Sequence, residues 1–169
     1  MSDYDAIRDF LTGQESISLG YSDLYFYDPI DLEEMQEAFF EGAKSWFLLF
    51  RAKGAWRKEW IAIGNDGTGD PLIVDLSSPK MRVLCAEHGT GRWEPYPIAD
   101  SLQSFSAVLG QLRELANGRE SPAALEAKPL SKEETNAFLQ FVRIMNPEMD
   151  PFYWEILVDA YDRGDAGDR

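Results

Sequence analysis

The stretch "IAIGNDGTGDPLIVDL", residues 61–76, does most to limit what this chain can fold into. Two apolar runs with strand periodicity flank a segment rich in glycine and acids, with Ile61 and Ile63 on one face of the first and Leu72, Val74 and Leu76 on one face of the second. Glycine, Asn and Asp supply the positive φ angles that tight turns need, so the chain doubles back here and pairs the runs antiparallel. A dinucleotide or Walker loop would have to open a helix, whereas Asp70-Pro71 leads into a strand pattern and no Lys-Ser/Thr follows. An EF-hand fails as well, because position twelve counted from Asn65 or Asp66 is Leu76 or Ser77 rather than glutamate. Asp66 and Asp70 alone are too few carboxylates for a calcium cage, so no metal is expected.

Other elements follow from this hairpin. "SWFLLFRA" (45–52) before it and "MRVLCA" (81–86) after it also read as strands. With "WIAIG" and "PLIVDL" they predict an antiparallel sheet of about four strands joined by short turns. Ser2 caps a first helix bearing Ile7, Phe10 and Leu11, and "SLGYSDLYFYDPID" reads as extended or irregular. Asp31 with Glu34 opens a second helix, which carries Leu32, Met35 and Phe39 and closes at Gly42. Asp100 with Gln103 opens a third, whose stripe from Leu102 to Leu115 is wide enough to cover a sheet face. Residues 119–129 read as a linker to two C-terminal helices, capped by Ser131 with Glu134 and started by Asp150-Pro151, and 163–169 read as a flexible tail. Helices segregated to either side of a sheet predict an α+β fold in one domain spanning 1–169.

Charge narrows the class of partner. Thirty acids oppose sixteen Lys plus Arg, a formal net charge of -14, which repels nucleic acid and anionic membranes. Residues 1–43 hold most of the excess, with eleven acids and one base. The acidic start does not resemble a signal peptide and "WFLLF" is far too short to span a bilayer, so a cytoplasmic protein is expected. The lone Cys85 excludes an intrachain disulfide and a multi-cysteine zinc site.

The turn at 64–70, followed by "VLCAEHGTGRWEPYPIADSLQSFSAVL" up to residue 109, resembles the SUKH superfamily, most clearly over residues 46–109. The shared pattern is an Ile-Gly-Asn-Asp-Gly-x-Gly-Asp turn between strands, a third strand with a nearby His, then an "IADSLQSF" helix entry. The proline-containing helix motif common near the N-terminus of the family is absent. The resemblance implies an α+β sheet flanked by helices, with no catalytic residues and no obligatory cofactor. It also implies a protein that acts by binding: most bacterial members resemble immunity proteins that neutralise a cognate polymorphic toxin, often a nuclease, and fungal relatives include regulators of cell-wall assembly.

Several residues are candidates for that contact. Glu33, Glu37 and Glu41 repeat at i, i+4, i+8, where like charges repel, so the stripe is either a solvated helix face or a surface for a basic partner. Asp66, Asp70 and Glu87 supply further carboxylates around the turn, and Trp93 is either an interface anchor or a residue packed on the sheet. Cys85 with His88 would be a nucleophile and base only if folded together, and Cys85 falls on the apolar phase of its strand. The expected function is an immunity protein, monomeric or weakly dimeric, that occludes a basic protein toxin without catalysis or cofactor. The alternatives are a regulatory interaction module of the fungal type and, last, an enzyme using Asp66, Asp70 and Glu87 as acid-base groups.

Overall fold

The computed structural model describes residues 2–40 and 54–164. Among the described residues six strands form one antiparallel meander in chain order: β1 (Ile17–Leu19), β2 (Ser22–Phe26), β3 (Trp60–Asp66), β4 (Pro71–Asp75), β5 (Arg82–Cys85) and β6 (Tyr96–Ala99). The fold is α+β as expected, but with six strands rather than about four. The three strands not expected, β1, β2 and β6, are where the sequence hides its pattern. Gly20, at φ +61, reverses the chain between β1 and β2 and lets Ile17, Leu19 and Leu24 turn inward, so "SLGYSDLYF" is a hairpin rather than irregular. β6 carries Pro97, which gives up a ladder donor and is tolerated because β6 is an edge strand. The expected strand at 45–52, the helix stop at Gly42 and the candidate Glu41 lie outside the described residues.

β3, β4 and β5 are buried almost continuously, which an antiparallel sheet shows only when both faces are covered. One face presents Ile61, Ile63, Leu72, Val74, Val83 and Cys85 to the main core. That core takes in helices α1 (Asp3–Leu11), α3 (Leu102–Ala116), α5 (Lys132–Met145) and α6 (Phe152–Gly164). The other face presents Trp60, Ala62, Ile73, Leu84 and Ala86 to Trp56 and to Phe39 of α2 (Leu32–Phe40). No helix among the described residues is long and apolar enough to cross a membrane.

Caps at Ser2 and Ser131 fall where the sequence puts them, each reciprocated by the acid three residues on, Asp5 and Glu134. The third helix starts one residue later than expected, because Ser101 and Ser104 form the reciprocal cap. Asp100 is instead buried, and its Oδ2 accepts a hydrogen bond from the Glu148 amide at 2.8 Å, tying the end of β6 to the loop before α6.

The segment 119–129, a linker by composition, folds around Arg119. This guanidinium is 4% exposed and donates to the Lys128 carbonyl at 2.7 Å, the Leu115 carbonyl at 2.9 Å and both oxygens of Glu134 at 2.9 and 3.0 Å. A short helix, α4 (Pro122–Ala127), lies within the segment, and its buried Leu125 packs against Gly20. α6 continues through Gly164, and the rest of the expected tail at 163–169 lies outside the described residues.

Candidate functional site

Three connections converge beside the C-terminal end of β5 and form an open groove of about 750 Å³. The β3–β4 turn gives Thr68 and Asp70, the chain after β5 gives Glu87 and His88, and β6 gives Tyr96 and Pro97. The far wall is Asp150, Phe152 and Tyr153 at the start of α6.

Asp66 organises the turn. Its Oδ1 accepts hydrogen bonds from the Thr68 amide (3.0 Å), the Thr68 hydroxyl (2.6 Å) and the Asp70 amide (3.1 Å). With the turn held, Asp70 reaches the next loop: its Oδ1 accepts from the His88 amide at 2.9 Å and shares a 2.6 Å hydrogen bond with His88 Nδ1. These two bonds tie the "NDGTGD" turn to the "EHG" loop. Asp150 does the corresponding work on the far wall, where its Oδ1 accepts from the Phe152 amide at 2.9 Å and starts α6.

Beneath the groove lies a hydroxyl-rich floor. Tyr153, 8% exposed, donates to Asp66 Oδ2 at 3.3 Å, and its ring centroid lies 6.4 Å from that of Tyr96. The Tyr96 hydroxyl hydrogen-bonds to the Cys85 sulfur. Burial pushes the Cys85 thiol up to about 12, with Asp66 adding repulsion and the Tyr96 hydroxyl opposing both. Burial likewise raises Tyr96, with Cys85 as the next cause, and raises Tyr153 well above its ordinary value. At neutral pH the floor thus carries a thiol and two phenols, all protonated.

These facts bear on the chemical readings. The ligand atoms of Asp66, Asp70 and Cys85 lie within 4.8 Å of one another. A metal there would have to deprotonate a thiol held near 12 and compete with the turn amides for Asp66. Cys85 is fully buried with its thiol held protonated, which argues against its acting as a nucleophile with His88 as base. Of the three carboxylates considered as acid-base groups, Asp70 and Glu87 line the groove, and Asp66 lies under it holding the turn.

The other candidates lie elsewhere. Glu33 and Glu37 are exposed on α2, and Glu33 forms an ion pair with Arg8 of α1. Glu41, the third of that stripe, lies outside the described residues. Trp93 is half-buried on the opposite side of the sheet, edge-on to Trp56 at 5.3 Å and to Phe39 at 6.0 Å. Among the described candidates, Asp70 and Glu87 thus line the groove and Asp66 lies beneath it. Tyr96, Asp150, Phe152 and Tyr153 escaped sequence reasoning. Phe152 was detectable, because it stands on the side of α6 opposite the Trp154–Leu157 stripe, and an aromatic residue off the apolar face is out of place in a helix that only packs.

The pattern of strands, turn and helix entry is shared with known proteins: the sequence model of the SMI1 / KNR4 family (SUKH-1) matches residues 5–107. The chain belongs to this family. The match runs from α1 into α3, further toward the N-terminus than the stretch where the motif is densest. It takes in the SUKH turn, Glu87, His88 and Tyr96, whereas the α6 wall of the groove lies beyond it. No curated protein and no solved structure matches the chain.

Proposed function

We propose that this SUKH protein is a bacterial immunity protein that binds a cognate, basic, nuclease-like toxin and blocks it by occlusion. The observation that carries this reading is the net charge of -14, with acids exposed on α2 and around the groove. A nuclease toxin is basic because it binds phosphates, so an acidic inhibitor gains both faster encounter and complementarity at the contact. Glu33 and Glu37 give α2 a steering role, to which the sequence stripe adds Glu41, and Asp70 and Glu87 contribute at close range. Trp93 would add a partly exposed aromatic contact on the other side of the sheet. The protein works by binding, as a monomer or weak dimer in the cytoplasm, with no cofactor and no chemical step of its own.

The experiment is affinity purification of the tagged full chain from its native cells at low and high salt, with mass spectrometry of the retained proteins. A basic toxin domain held stoichiometrically at low salt and released at high salt is the expected result. Retention of an endogenous signalling protein, insensitive to salt, would replace the immunity reading with a regulatory module.

A further inference from the structure

We infer that the groove between β6 and α6 is a seat for a single arginine side chain presented by the protein partner. The inference deepens the immunity reading and rests on it for the identity of the partner.

Three observations carry it. First, the groove offers flat apolar surface to solvent: Tyr96 is 40% exposed and Phe152 57%, on opposite walls. The two elements are joined beneath these rings by their buried residues, Trp154 Nε1 donating to the Ile98 carbonyl at 2.7 Å. Second, the groove is ringed by carboxylates, Asp70, Glu87 and Asp150, with His88 as its one basic side chain. Third, the floor is held neutral and its hydrogen bonds point inward, toward Asp66 and Cys85.

An anionic ligand would meet three negative groups. A purely apolar one would strip water from them without replacing it, which disfavours the charged groups. A guanidinium matches both features, since its plane stacks on aromatic rings and its edge donates to carboxylates. A groove of about 750 Å³ has room for the side chain and its flanking backbone. Its walls also have no ionised phenol to trap the cation elsewhere, because Tyr96 and Tyr153 both titrate above their ordinary range.

The test uses the full-length ¹⁵N-labelled protein titrated with Nα-acetyl-arginine methylamide and, separately, with its neutral isostere Nα-acetyl-citrulline methylamide. Saturable shifts at the amides of His88, Tyr96 and Phe152 with the arginine compound, and at least tenfold weaker binding of citrulline, are expected. The double variant Glu87→Gln, Asp150→Asn should weaken the arginine at least fivefold; Asn at 150 still caps α6. The charge-matched control Glu114→Gln, Glu133→Gln, exposed on α3 and α5 and outside the groove lining, should leave it unchanged. Equal response to citrulline, shifts centred on α2, no saturable response, or equal loss in both variants would each overturn the seat. Its failure is separable from failure of the toxin reading. A toxin that binds the groove variants as tightly as the parent removes the seat and leaves immunity standing. Arginine binding without any basic partner in cells does the reverse.

Discussion

Gln36 bonds both backbone groups of Ala62. Its Oε1 accepts from the Ala62 amide at 2.7 Å, and its Nε2 donates to the Ala62 carbonyl at 2.8 Å and to the Leu32 carbonyl at 2.7 Å. The reason is in the register. β2 stops pairing with β3 at Phe26–Gly64, and the chain then turns away at Asp28. Ala62, in mid-strand, is left without a neighbouring strand on that side, and a side-chain amide takes the place of one. This pairing docks α2 on the sheet and leaves Glu33 and Glu37 facing outward.

Gln36→Leu keeps the size of the side chain and abandons two buried backbone groups. We expect a loss of about 2–4 kcal/mol in urea unfolding, from unsatisfied donors and acceptors rather than from a cavity.

Two glycine substitutions should act in opposite directions. A Cβ on Gly64 would stand 1.9 Å from the Tyr25 carbonyl oxygen, so Gly64→Ala forces β2 and β3 apart and should cost about 2 kcal/mol or more. A Cβ on Gly110, exposed in the middle of α3, meets nothing within 4 Å. Gly110→Ala should stabilise by about 0.5–1 kcal/mol in the same assay.

Acid sensitivity should trace in part to Glu134. The Ser131 amide, then Arg119, hold its carboxyl below the ordinary range. A lowered folded value means that its contribution is complete above the unfolded value, about 4.3, and is lost as pH falls through the folded one. Glu134→Gln keeps the helix cap and removes the ion pair. It should lower stability by about 1–2 kcal/mol near pH 7, the pair being half-exposed on the Glu134 side. Thermal melts from pH 7 to 3 should show the gap between parent and variant closing from about pH 5 downward.

Cys85 should be inert in the native protein. It is fully buried with a thiol near 12, so reaction with an aromatic disulfide reagent at pH 8 should wait for unfolding. Labelling that follows the urea unfolding curve is expected; rapid labelling without denaturant would contradict the buried floor beneath the groove.

Local and periodic features were legible in the amino-acid order. The β3–β4 turn, the Ser2 and Ser131 caps, the α3 stripe and the family pattern each rest on a few neighbouring residues, where backbone geometry and side-chain chemistry act directly. Tertiary structure alone decided the rest. A three-residue strand such as β1 has no detectable period, and β6 looks like a loop because Pro97 and the glycines before it dominate its composition. Arg119 reads as one charge in a polar linker until α3, α4 and α5 close around it. The groove depends most on the fold, since Asp70, Glu87, Tyr96 and Phe152 come from four separate segments and no spacing rule joins them. Acidity could be read from composition, but composition could not say which carboxylates stand beside exposed aromatic rings, because that depends on the order in which six strands and the last helix pack.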